Sequence, residues 1–162
     1  MRSVFENITD YMHSRGIAHR CLEHDPVYTT EQAEGTVGHA PSEGTKSLAL
    51  ESECGLAVAT VSGSERLDFG AIKRILGVRR LRMHNRSLLH QDFGVDDGGL
   101  APFGYQPGIE ILISETLIAE ERIFFNPGRN DLTIEVTGVV FKEMAEHWHA
   151  RIATIGAPQA SA

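Results

Sequence analysis

Apolar positions along this chain recur with two periods, and the switches between them outline a mixed architecture. Val4, Ile8, Tyr11 and Met12 fall at the spacing of one helix face, so residues 3–15 predict an amphipathic helix ended by Gly16. Residues 17–24 read as a strand broken by Asp25-Pro26, after which Thr29-x-x-Gln32 has the form of a capping box opening a short helix. Segments 46–51 and 56–62 predict two strands around a turn at Glu53-Cys54-Gly55. Asp68 caps a helix whose Phe69, Ile72, Ile75 and Leu76 share a face, and Gly77 stops it. Residues 81–84 form a short strand and Ser87 opens another short helix. The Gly- and Pro-rich stretch 94–108 is the longest loop. Strands follow at 109–114, 122–125 and 132–136, the last with the cleanest period of two. Phe141, Met144, Ala145, Trp148 and Ile152 mark a closing helix, and the small, polar tail 156–162 is expected to be flexible.

Helices and strands alternate without a regular βαβ period. The reading is one mixed α/β (α+β) domain over residues 1–155, a mixed, mostly antiparallel sheet surrounded by helices. A length of 162 residues suits a single core. The apolar runs fall far short of a membrane span, and the N-terminus meets polar residues at once, so a cytoplasmic protein with no membrane partner is expected. With only Cys21 and Cys54, a disulfide framework is not expected, and the two thiols are read as packing groups in a reducing compartment.

Charge changes the picture in one place. The net charge of −7 argues against a general nucleic-acid binder and against DNA as a partner. Yet Lys73, Arg74, Arg79, Arg80, Arg82 and Arg86 hold six of the fifteen Lys and Arg with no acid among them, leaving nine bases against twenty-two acids elsewhere. Such a stretch is either a solvated helix flank or a local face for a few phosphates.

Candidate chemistry narrows quickly. Gly38-His-Ala-Pro-Ser-Glu-Gly-Thr-Lys-Ser47 has five residues between its glycines and Thr45 before the lysine, and an apolar strand follows, so it is not a Walker phosphate loop. His147 and His149 point to different helix faces, and His19 and His24 to opposite strand faces. No His-Glu-x-x-His or Cys-x-x-Cys occurs, so neither a metal nor any other cofactor is expected. No Gly-x-Ser-x-Gly elbow supports a serine hydrolase. Two features remain. Lys46 stands at the mouth of the apolar Leu48-Ala49-Leu50, where it either snorkels or holds a fixed positive charge in a partly desolvated place. Gly98-Gly99-Leu100-Ala101-Pro102-Phe103-Gly104 is either a stiff surface turn or a backbone cradle for a ligand.

These features stand in a particular order. It runs His24-x-Pro26-Val27-Tyr28-Thr29-Thr30-Glu31-Gln32-Ala33, Gly44-Thr45-Lys46-Ser47-Leu48, Arg66-Leu67-Asp68, Leu76-Gly77-Val78-Arg79-Arg80-Leu81, Gly98-x-x-x-Pro102-Phe103-Gly104 and Phe125-Asn126-Pro127-Gly128-Arg129. Over residues 15–145 this resembles the YbaK-like, prolyl-tRNA-editing family of aminoacyl-tRNA deacylases, as a freestanding member. The resemblance implies hydrolysis of the ester between a wrong small amino acid (Ala, Ser or Thr) and tRNA, with a synthetase as a possible second partner. It places Lys46 at the essential lysine and Gly98–Pro102 at the Gly-x-x-x-Pro loop, and it makes Tyr28 a wall of the amino-acid pocket. Thr30, Ser47, Gly98, Gly99, Leu100, Ala101, Pro102, Gly104 and Asn126 are the further expected substrate contacts. Asn126 stands where some members carry a histidine. The basic residues Lys73, Arg74, Arg79, Arg80, Arg82 and Arg86 become the expected tRNA face. A non-catalytic tRNA- or synthetase-binding module with the same fold is the alternative, and a small-molecule esterase a third reading.

Overall fold

A capping box opens the chain: Ser3 Oγ accepts the Glu6 N–H at 3.1 Å while the Glu6 carboxylate accepts the Ser3 N–H at 3.4 Å. The helix it starts, α1 (Val4–Ser14), buries Val4, Ile8, Tyr11 and Met12, the four positions whose spacing predicted it. This computed structural model describes residues 2–29, 32, 35 and 37–159. In chain order there follow β1 (Arg20–Glu23), β2 (Thr45–Ser52), β3 (Gly55–Ser62), β4 (Glu65–Leu67), α2 (Phe69–Leu76), β5 (Leu81–Met83), α3 (Leu89–Phe93) and β6 (Glu110–Ser114). The chain continues through α4 (Glu115–Ile118), β7 (Arg122–Phe125), β8 (Leu132–Thr137), α5 (Gly138–His147), β9 (Arg151–Ala153) and β10 (Gly156–Pro158).

Five strands form the central sheet in the order β5-β2-β3-β6-β9, while β1-β8-β7 and β10-β4 make two smaller sheets. The fold is thus mixed α/β. Among the described residues five of the seven strand pairings are antiparallel, and β3–β6 and β6–β9 are parallel. The parallel pair lies where the sheet is covered on both faces. Val58, Ile111 and Ile113 face a large core shared with α1, α5 and the small β1-β8-β7 sheet. Leu50, Ala57, Ala59, Val61 and Leu112 face a second core closed by Ile72 of α2. That helix is bounded as its sequence predicts: Asp68 Oδ1 accepts the Ala71 N–H at 3.0 Å, and Gly77 takes φ +68°.

Several expectations are corrected. The strand expected over 17–24 is confined to β1. The closing helix stops at His147, and His149 turns the chain with φ +58°, so Ile152 lies in the parallel strand β9 instead of on a helix face. The tail does not come free at Gly156, because Gly156–Pro158 pairs antiparallel with β4. The 94–108 segment is not a purely surface loop: Gly99 and Ala101–Tyr105 are buried, with Phe103 stacked on Trp148 at 5.3 Å. Cys21 and Cys54 do not pack; both are exposed. Ser87 does not cap the turn at Arg86–Leu88; Asn85 does, accepting the Ser87 N–H at 3.1 Å. Thr29 Oγ1 does accept the Gln32 N–H at 3.1 Å, but most of the short helix expected there lies outside the described residues. No helix among the described residues is long and apolar enough to cross a membrane.

Candidate functional site

Among the described residues the edge of β2 is unpaired over part of its length, and a cavity forms there. Strand β5 pairs with β2 only over Leu50–Ser52, with one further bond from the His84 N–H to the Ala49 carbonyl at 2.9 Å. At the other end β7 reaches β2 only through the Gly44–Phe124 bridge and the Thr45 hydroxyl, which donates to the Phe124 carbonyl at 3.2 Å. The Gly63 N–H donates to the Gly44 carbonyl, so the even-numbered residues of β2 turn their peptide groups to β3 and the odd-numbered ones turn theirs outward. The N–H and C=O of Ser47 therefore face the gap.

The gap is a cavity of about 320 Å³, the size of a small-ligand site. Of its walls, His39, Ala49, His84, Leu89, Phe124 and Thr133 are buried, whereas Tyr28 and Met83 are about half exposed. Lys46, half-buried, Arg86 and Asp97 also line it. Arg86 is ion-paired with Asp97; Lys46 has no carboxylate within ion-pair distance among the described residues. An ammonium in a half-desolvated place with no internal partner is available to an anionic or electron-rich ligand group.

The polar walls are oriented by bonds behind them. His24 Nδ1 lies 2.8 Å from the Asp25 carbonyl and so carries a hydrogen, which makes Nε2 the acceptor for the Thr133 hydroxyl at 2.8 Å. Asn126 Nδ2 donates to the carbonyls of Arg129 and Leu132 at 3.4 and 3.3 Å, leaving its oxygen as the end free for a ligand. The Ser47 and Thr60 hydroxyls bond each other at 2.8 Å. His39 stacks on Phe124 with centroids 4.8 Å apart and donates through Nδ1 to the Ala40 carbonyl at 2.9 Å. Its ring lies against Gly44, where a Cβ would strike His39 Cε1, which accounts for the glycine two residues before Lys46. Beside the site, the bond from Arg122, then that from the Ala40 N–H, hold the Glu43 carboxyl below the usual range.

The cavity brings together Tyr28, Lys46, Ser47, Gly98, Leu100, Asn126 and Arg86 of the residues expected from sequence. It does not bring the others. Gly99 packs on the backbone of Arg129 and Asn130, Gly98 on that of Val27 and Tyr28, and Gly104 on Ile8 and Val4 of α1. Ala101 and Pro102 are buried behind the wall, the former fixed by the Tyr105 hydroxyl at 2.6 Å. The glycines thus let segments of the chain pack closely against one another. Thr30 lies outside the described residues. Lys73 and Arg74 sit on α2, Arg79 and Arg80 on the turn after it, and Arg82 on β5, ion-paired with Glu51. Sequence reasoning missed His39, His84, Leu89, Phe124 and Thr133 as cavity residues. The sequence offered no signal for His84 or Thr133, because alternation sets Thr133 opposite the apolar Leu132, Ile134 and Val136, and His84 opposite Leu81 and Met83. Among the described residues, no group of three or more His, Cys, Asp or Glu is placed to hold a metal ion.

With this geometry in hand, comparison with known proteins is informative. The profile of the aminoacyl-tRNA editing domain matches residues 24–143. A structure reported only as a hypothetical protein aligns with TM-score 0.81 at 22% identity, covering 94% of this chain and all of its own. A candidate trans-editing enzyme for prolyl-tRNA synthetase aligns with TM-score 0.78 at 22% identity, covering 99% of both chains. A scaffold used for computational grafting of linear epitopes aligns equally well, over 98% of this chain. At that identity these likenesses speak to the fold alone.

Proposed function

Because the chain belongs to the aminoacyl-tRNA editing domain family, we propose that it is a trans-editing deacylase, which hydrolyses the ester between a wrongly attached small amino acid and the 3′ end of a tRNA. The observation that carries the reading is the placement of Lys46. It is a cation with no ion-pair partner among the described residues, at a cavity whose volume of about 320 Å³ suits a small ligand group. A pocket that must exclude a slightly smaller side chain gains only about 1–3 kcal/mol per methylene, so errors among small amino acids are removed by a second site.

The reaction asks little of a protein nucleophile. A water oxygen attacks the ester carbonyl carbon, the carbon–O3′ bond breaks, and a proton passes to O3′, giving the free amino acid and an uncharged tRNA end. The Lys46 ammonium faces the carbonyl side and stabilises the oxyanion as it develops. The outward peptide groups of Ser47 and the backbone of Gly98 hold the aminoacyl group across the open strand edge, and the Asn126 oxygen accepts from its ammonium. Tyr28 covers the mouth. Such a substrate is made where translation runs, so a cytoplasmic protein is the matching reading. A synthetase is its proposed associate, as the description of the fold neighbour as a candidate trans-editing enzyme for prolyl-tRNA synthetase suggests.

The test is a panel of tRNAs mischarged with Ala, Ser, Thr or Cys, incubated with wild type, Lys46→Ala and Lys46→Arg. Wild type is expected to release one or two of them. Lys46→Ala is expected to lose at least about a hundredfold in rate, the scale of removing one oxyanion donor, with an unchanged melting temperature. The arginine variant is expected to fail as well, because a planar fork does not replace a compact ammonium. Binding of tRNA without any hydrolysis would replace the enzyme by a non-catalytic binding module.

A further inference from the structure

Among the residues lining the cavity, His84 holds a polar atom that the described residues leave unmatched. His84 follows β5, and strand alternation sets it opposite Met83, which is 48% exposed. Its ring turns inward against the edge of Phe93 at 5.0 Å, and its side chain is 1% exposed. His84 Nε2 lies 2.7 Å from Asp92 Oδ2, so Nε2 carries the hydrogen and donates it; an unprotonated Nε2 would set two lone pairs against each other. Nδ1 is then the acceptor end of a ring held in place by Asp92. Among the described residues it is the buried side-chain nitrogen or oxygen with no hydrogen-bond partner. No described residue supplies it with a donor, and Thr133, also in the cavity wall, gives its hydrogen to His24.

Buried acceptors are nearly always matched, and one that closes a ligand cavity is matched by the ligand. We infer that His84, oriented by Asp92, reads the side chain of the aminoacyl group by accepting a hydrogen bond from its hydroxyl, so that the cavity selects seryl or threonyl esters over alanyl esters. The inference rests on the deacylase reading of the same cavity and narrows its substrate class. The physical basis is an asymmetry: a hydrocarbon pocket hardly separates a methyl group from a hydroxymethyl group. A pocket built to bond a hydroxyl discriminates strongly against the analogue that lacks it, because its own polar atom is then left unpaired.

Two measurements test it. The first compares kcat/KM for tRNA charged with serine, threonine or alanine; the second compares binding of the non-hydrolysable 3′-amide analogues seryl- and alanyl-adenosine. Wild type is expected to favour the hydroxyl-bearing member by at least about tenfold in both. His84→Leu is expected to bring both ratios close to one, with a melting temperature equal to or above wild type, since an unpaired polar group has been removed. His84→Asn keeps an acceptor near the position of Nδ1 and is expected to restore part of the preference, which a merely structural histidine would not require. A wild-type ratio near one, or a ratio that survives His84→Leu, overturns the inference while leaving the deacylase intact. Selective binding of the seryl analogue without hydrolysis of any tRNA would uphold it and sink the deacylase instead.

Discussion

Glu53 stands at the tip of the β2–β3 hairpin and accepts the backbone N–H groups of Arg79 and Arg80 at 2.7 and 3.0 Å. One carboxylate thereby fixes the turn that leads from α2 into β5. The Arg79 bond, followed by that of Arg80, holds the Glu53 carboxyl down to about 2 from an ordinary 4.5. A carboxyl depressed in the folded state stabilises the fold above its unfolded value, and that stabilisation is lost as pH falls from 4.5 through 2. Glu53→Gln is therefore expected to melt below wild type at pH 6–7, with the gap closing as the pH falls below about 4.5. Thermal unfolding of the two proteins from pH 7 to pH 3 checks it, since the other depressed carboxyls, Glu43 and Asp131, are common to both. A gap that does not change with pH would assign the anchoring to shape and not to charge.

The elements legible in the sequence are those whose causes are local. Helix α1 follows from four apolar positions and a capping box, α2 from Asp68 and Gly77, and the β2–β3 hairpin from two apolar runs about a tight turn. Lys46 and the Gly98 loop were legible as a pattern of order and spacing. The elements that escaped depend on distant partners. Strand β9 exists because β6 offers it an edge, and β10 because β4 does, and neither edge is written in residues 151–158. The inward His84 escaped because its satisfaction depends on Asp92, eight residues on in another element. The 98–104 loop shows the same limit, since its glycines read equally well as a ligand cradle and as packing surfaces. A Cβ on Gly99 would lie 2.6 Å from the Arg129 carbonyl carbon and 2.8 Å from the Asn130 nitrogen, both backbone atoms that a side-chain rotation cannot move. Gly99→Ala must therefore push apart the two loops. Asn126 moves with them, because its amide is held by the Arg129 carbonyl. The expected cost is about 1–3 kcal/mol of stability together with a raised KM for the aminoacyl ester. Gly70→Ala, in the first turn of α2 where a Cβ meets only ordinary contacts at 3.4 and 3.5 Å, is the control and is expected to leave the melting temperature unchanged or slightly raised. Equal behaviour of the two variants would return Gly99 to the role of a plain turn residue.

At the scale of the whole molecule the question is how a chain of net charge −7 would receive the polyanion that the proposed function requires. Its basic stretch passes from Lys73 and Arg74 on α2, over Arg79 and Arg80, along the edge strand at Arg82, and reaches the cavity mouth at Arg86. A tRNA end entering beside Lys46 would lay its neighbouring phosphates along that path. The charges are not equal, however. Arg82 is neutralised by Glu51 and Arg86 by Asp97, whereas the side chains of Arg79 and Arg80 are exposed and Glu53 is bound to their backbone instead. Reversal of Arg79 and Arg80 to Glu is therefore expected to weaken tRNA binding most, and further reversal of Arg82 to add little. Each lost phosphate contact should reduce the slope of log affinity against log salt by about 0.7–0.9. Titrations at several salt concentrations read the slope directly, and the hydrolysis of a minimal aminoacyl-adenosine, which carries none of those phosphates, should be untouched by the same substitutions. If the slope of the double variant matches wild type, this stretch is solvated surface, and the phosphates are held at the cavity mouth itself by Lys46.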